Sequence, residues 1–183
     1  RELAQGLRIG LVVPQQSLRK SIEKVFRKTP GLTKEQVLTP YDVGKSAERF
    51  DLLVVDEAHR LTQKANQSSA MLNISFSEIN LRLFGNDDPS WTQLDWIRAQ
   101  SRHQIFLLDG AQSVRPLDVP TEVLDGIVTQ ARADHRHYPL LSQMRVRAGD
   151  DYVGYVRRVL EGLRPEPQEF RGYDLRYFDN FRQ

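Results

Sequence analysis

The sequence predicts a three-layer α/β/α domain built on a mainly parallel sheet. Three observations carry this expectation. Apolar runs at Arg8 to Val13, Phe50 to Val55 and Gln104 to Leu108 lack the alternation of a half-exposed strand, so they suit strands buried on both faces. Leu18, Ile22, Val25 and Phe26 recur at helical spacing between the first two runs, which gives strand, crossover helix and parallel strand. Each run leads into polar residues, where open parallel sheets gather their ligands.

Taken in order, Arg1 to Gly6 reads as the end of a helix closed by Gly6, and Pro14 stops the first strand. Ser17 is placed to cap the helix that follows. Gly31 to Pro40 holds a turn and a short strand around Gln36 to Thr39. Residues 60–103 form a polar insertion with helices expected near Phe76 to Leu83 and Ser90 to Ser101, separated by the loop Gly85 to Pro89. Pro116 and Pro120 break the chain, and a helix from Thr121 to Ala133 is expected to be capped at Thr121. Another helix spans Asp151 to Leu163, with Tyr152, Tyr155, Val156, Val159, Leu160 and Leu163 as its apolar stripe and Gly162 and Pro165 closing it. Tyr173 to Phe178 alternates like a strand. Both ends read as cuts through a larger protein, with residues 166–183 as the start of a second part.

Composition narrows the function classes. A chain of 183 residues can bury a sizeable core, and 39% hydrophobic against 27% charged residues is a globular balance. Cysteine is absent, which excludes disulfides, thiolate chemistry and cysteine-ligated zinc. No run approaches the roughly 18 apolar residues that a membrane span needs, so a cytoplasmic protein without a membrane partner is expected. The net charge of +2 says little, but ten of the twenty arginines lie between Arg132 and Arg182, a residue type that grips phosphates bidentately. A solvated basic face is the plainer account of the same run.

The segment richest in chemistry is Leu52-Leu-Val-Val-Asp-Glu-Ala-His59. Four apolar residues deliver Asp56 and then Glu57 at the end of a buried strand. One carboxylate there suits magnesium held through water, and its neighbour suits orienting or deprotonating an attacking water. The alternative is an acidic turn in which Asp56 or Glu57 only caps a helix. Arg145, in Leu141-Ser-Gln-Met-Arg145, is a guanidinium suited to charge building on phosphoryl oxygens, or else one surface arginine among many.

Asp56-Glu57-Ala58-His59 resembles the Walker B box of helicases, in its DEAH form. After the next apolar run, Leu107-Leu-Asp-Gly-Ala-Gln-Ser113 is similar to the following helicase box, whose glutamine senses the terminal phosphate; this gives Gln112 the sensor role, with Asp109 beside it. The segment ending at Arg145 is similar to one that supplies an arginine to the terminal phosphate in superfamily-one helicases, although Met144 stands where many of them have an aromatic. Val13-Pro-Gln-Gln-Ser17 follows the first strand where these helicases place a nucleic-acid-contacting box, so Gln15, Gln16 and Ser17 are candidates for that contact, with helix capping as the rival role of Ser17. Together with Gly149-Asp-Asp-Tyr-Val-Gly-Tyr155, these boxes look most like the Schlafen-type DNA/RNA helicase domain, from about Leu7 to Phe178.

The resemblance implies a RecA-like P-loop NTPase fold with ATP and Mg2+ as cofactors, single-stranded DNA or RNA as partner, and a second RecA-like domain in cis. It gives Asp56 the metal, Glu57 the attacking water, Gln112 the phosphate sensor and Arg145 the transferring charge. His59 would link the nucleotide site to the sensor box. No Gly-x-x-x-x-Gly-Lys-Ser/Thr string is present, so the backbone cradle for the phosphates is expected upstream, and this stretch alone is expected to hydrolyse almost no ATP. Two rivals fit the same residues: an NTP-dependent regulatory switch without unwinding, and a non-catalytic partner-binding scaffold.

Other chemistries have less support. Asp134-His-Arg-His137 offers two histidines without further metal-ligand spacing, and no Gly-x-Ser-x-Gly elbow occurs. Trp91 and Trp96, expected on one helix, suit core packing better than base stacking.

Overall fold

The computed structural model describes residues 6–64, 70–109, 118–140, 152–163, 166 and 168–170. Four strands, β1 (Ile9–Val12), β2 (Val37–Leu38), β3 (Phe50–Val55) and β4 (Ser101–Phe106), form one sheet in the order β2-β1-β3-β4. Every pairing is parallel, as the continuous apolar runs predict. Parallel neighbours need crossovers. These are α1 (Gln16–Lys28) between β1 and β2, α2 (Pro40–Lys45) between β2 and β3, and α3 (Ala70–Phe84) with α4 (Gln93–Ala99) between β3 and β4. Two further helices follow, α5 (Thr121–Ala133) and α6 (Tyr152–Leu160). The result is an α/β fold consistent with a RecA-like three-layer arrangement.

Register decides which side chains share a face. Val12 pairs with Val55 and Val55 with Phe106, which puts them on one side of the sheet. There they meet Val43 of α2, Leu94 and Ile97 of α4, and Leu124 of α5 in the main core. Val12, Leu53 and Val55 are fully buried, each worth about 1.5–3 kcal/mol of transfer free energy. The opposite side is finished unevenly. Val37 is buried next to α1, Leu11 and Val54 are partly covered, and Ile105, which pairs with Val54, is 49% exposed.

Local signals account for the helices. The Thr39 hydroxyl accepts the Asp42 N–H at 3.0 Å while the Thr39 N–H donates to Asp42 Oδ2 at 2.7 Å, a reciprocal cap that starts α2. Thr92 and Asp95 do similar work at α4, where the Thr92 N–H donates to Asp95 Oδ2 at 2.8 Å. The insertion between β3 and β4 has a small core of its own, Phe76, Ile79 and Trp96, in which the Trp96 indole N–H donates to Asn80 Oδ1 at 2.8 Å. Trp91 stacks on Phe84 with ring centroids 4.1 Å apart. Both indoles therefore pack, although Trp91 precedes α4 rather than lying on it.

Several expectations need correction. Gln15, not Ser17, occupies the cap position of α1, because the helix begins at Gln16 and Ser17 is already in its first turn. Thr121 likewise opens α5, with Pro120 at the cap. Val25 is 59% exposed, so the buried side of α1 is narrower than the four apolar positions implied. β4 runs from Ser101 to Phe106 rather than from Gln104 to Leu108, and as the last strand of the described sheet it is covered on one face only, with Arg102, His103 and Ile105 exposed. α3 begins at Ala70, before the expected Phe76. α6 ends at Leu160: Gly162, at φ +79, donates its N–H to Val159 O at 3.0 Å and Leu163 donates to Arg158 O at 2.9 Å, a glycine closure that leaves Leu160 and Leu163 exposed. α2 had no counterpart in the sequence expectation. Residues 1–5 and 173–178 lie outside the described ones; Gly6 has the left-handed φ of +86 expected of it.

The chain divides into two compact units, Arg1–His137 and Tyr138–Gln183. The second contains α6, where Tyr155 is buried against Phe170 with ring centroids 5.2 Å apart. Among the described residues, no helix is long and apolar enough to cross a membrane.

Candidate active site

β3 ends at Val55, yet the chain stays pinned to both neighbours. The Asp56 N–H donates to Val12 O on β1 at 3.0 Å, and the Ala58 N–H donates to Leu107 O beyond β4 at 2.8 Å. Reaching both within three residues forces a sharp change of direction at Glu57, which adopts φ 48 and ψ 48 in the left-handed region. For a residue with a Cβ this costs about 1–2 kcal/mol. A single turn of 3-10 helix, Ala58–Arg60, follows, closed by the Arg60 N–H on Glu57 O at 2.8 Å.

That turn drives His59 inward, where it is 1% exposed. Its Nδ1 accepts the Asp109 N–H at 3.2 Å, which assigns the ring proton to Nε2. Nε2 lies 2.9 Å from Glu57 Oε2. The N–H is not aimed squarely at that oxygen, so by donor geometry Nε2 has no hydrogen bond among the described residues; the pair is a close polar contact that a modest turn of either side chain would align. Arg60 Nε approaches the same oxygen at 3.7 Å and is also buried without a hydrogen bond. Sequence reading passed over Arg60, although its place three residues after Glu57 on a helical turn was a usable signal.

Asp56 is partly buried and its carboxylate makes no hydrogen bond or ion pair among the described residues. The Glu57 side chain is 30% exposed. Two adjacent acids, Asp56 uncommitted and Glu57 with His59 Nε2 2.9 Å from its Oε2, fit a divalent cation that keeps most of its waters, since magnesium takes only one or two protein carboxylates and fills its remaining positions from water and phosphate. No group of three or more metal-ligating side chains occurs among the described residues.

Asp109 is exposed just beyond β4. Gln15, Gln16 and Ser17 are all exposed where β1 passes into α1. Because every strand is parallel, the ends of β1, β3 and β4 fall on one edge, which brings together Gln15 to Ser17, Asp56 with Glu57, and Asp109. Gln112 and Arg145 lie outside the described residues. His135 and His137 do not form a metal group with any third ligand among the described residues.

Residues 10–183 match the family model described as Schlafen group 3, DNA/RNA helicase domain. No curated protein and no solved structure matches the chain. Since the match spans nearly the whole sequence, the chain belongs to the Schlafen group 3 DNA/RNA helicase domain family.

Proposed function

We propose that the chain forms part of the first RecA-like domain of an ATP-dependent nucleic-acid helicase or translocase, and that its share of the work is water activation and phosphate sensing. The observation that carries this reading is His59 placed between Glu57 Oε2 and the Asp109 N–H. A capping acid needs no buried imidazole behind it. A carboxylate that must hold one orientation while it takes a proton does.

In this reading Asp56 holds the metal through water, and Glu57 accepts the proton of the attacking water on a carboxylate oxygen. His59 closes onto Glu57 Oε2, 2.9 Å from its Nε2, when the site is loaded, while its Nδ1 holds the backbone that leads into the sensor segment. Gln112 reports on the terminal phosphate, and Arg145 stabilises charge on the transferring group. When bound, ATP with Mg2+ supplies the phosphoryl group and its electrophilic clamp. The phosphate loop belongs to a strand-helix unit before β1, which rests on the helicase-family resemblance. Among the described strands β4 lies at the edge of the sheet, where a further strand would pair.

ATP turnover by the full-length protein, with and without single-stranded nucleic acid, tests the proposal. A motor gives turnover that nucleic acid stimulates and that Glu57→Gln removes. Turnover without stimulation identifies a regulatory switch, and an upstream sequence without a phosphate loop identifies a scaffold.

A further inference from the structure

α1 buries none of its residues. Its partly covered positions, Leu18, Arg19, Ile22, Glu23 and Phe26, share one side of the helix, as spacings of three and four require. Glu23, the one acid in the helix, is on that side, 3.8 Å from Arg19. The opposite side carries Ser17, Lys20, Lys24, Arg27 and Lys28, all exposed. Lys20, Lys24 and Lys28 have no ion pair or hydrogen bond among the described residues.

An ordinary solvated helix face mixes both signs of charge. This one carries a single sign. Arg27 and Lys28 gain something from the last turn, where the helix dipole favours cations, but Lys20 and Lys24 stand too early for that benefit. The stripe is also placed usefully. As the crossover between parallel β1 and β2, α1 starts at the edge holding Gln15 to Ser17 and runs back along the outside of the domain. From Ser17 to Lys28 it covers about 16 Å, with successive lysines about 6 Å apart along the axis.

We propose that this face of α1 is a track for the phosphodiester backbone of nucleic acid, extending the contact at Gln15 to Ser17 away from the nucleotide site. The proposal rests on the motor reading above and adds a surface to it. Lysines act there as point charges that hold phosphates without reading bases.

The test uses the full-length protein carrying Lys20→Gln, Lys24→Gln and Lys28→Gln together, with Lys45→Gln, an exposed lysine on α2, as control. Dissociation constants for unstructured single-stranded DNA and RNA are measured against salt concentration. Three lost contacts at about 0.7 each make the log-log slope shallower by about 2, with affinity at low salt weaker by at least about tenfold on one polymer or both. The control keeps the wild-type slope. An unchanged slope in the triple variant, an equal loss in the control, or no nucleic-acid binding by the wild type overturns the proposal. Turnover without nucleic acid separates the two ideas: if it persists and depends on Glu57 while the slope is unchanged, the track fails alone, and if turnover is never stimulated, the motor reading fails whatever the slope does.

Discussion

The imidazole of His59 joins two strand ends: Nε2 sits 2.9 Å from Glu57 Oε2, beyond β3, and Nδ1 takes the Asp109 N–H at 3.2 Å, beyond β4. In the proposed function this buried ring is the link between the water-activating acid and the sensor segment. His59→Ala in the full-length protein should lower kcat for ATP by about 100-fold, the scale of losing control over a general base. KM should change little, because the ring touches the base rather than the nucleotide. Steady-state kinetics check this, and a kcat within twofold of wild type would remove the linking role.

The backbone of Glu57 makes a separate prediction, since φ 48 disfavours any residue with a Cβ. Glu57→Gly and Glu57→Ala should both be inactive, yet the glycine variant should be the more stable by about 1 kcal/mol. Denaturant melts of the two variants side by side measure the difference. Equal stability would mean that the left-handed turn is not maintained.

Gly44 sits where α2 meets the insertion. A Cβ there would lie 2.9 Å from Ile79 Cγ2 and 3.0 Å from Trp96 Cε3, both in a packed cluster that cannot yield without moving. Gly44→Ala should cost about 1–3 kcal/mol of stability, read as a lowered Tm. Gly85→Ala serves as contrast, because a Cβ there meets nothing within 4 Å and only its φ of +76 opposes the change.

Tyr41 packs edge-on against Trp96 with ring centroids 5.3 Å apart, and burial pushes its phenol up to about 12 from an ordinary 10.0. A raised folded value means that the stability tied to the neutral phenol is fully present below pH 10 and is lost as pH rises toward 12. In a titration followed by tyrosinate absorbance, Tyr41 should ionise late, together with loss of the fold, and Tyr41→Phe should remove its contribution from the late part of the curve. A late part left unchanged in the variant contradicts the burial.

The central strand was legible because its apolar run is unbroken: β3 spans Phe50 to Val55 as that run does, and α5 has its expected bounds, whereas β4, polar in its first half, starts at Ser101 rather than Gln104. α2 escaped because six residues cannot display a helical period, and Val43 and Gly44 are held by tertiary contacts. Its start was still written in Thr39-Pro-Tyr-Asp42, a capping box with proline at the first helical position. At the site, the acids and their position after β3 could be read directly. The left-handed turn at Glu57 and the burial of His59 could not, since both follow from the bond between Ala58 N–H and Leu107 O, residues far apart in sequence. The basic stripe of α1 is spread along the sequence among Ser, Ile and Val residues, and Lys20, Lys24 and Lys28 come to share one face only when the helix forms.

The most direct measurement is nucleic-acid-stimulated ATP turnover by the full-length Glu57→Gln variant, with ATP binding measured alongside. With Glu57 as the base, turnover should fall by at least about 100-fold with ATP affinity retained, because the amide keeps the shape of the side chain but cannot take the proton of the attacking water. Turnover at the wild-type rate would contradict it.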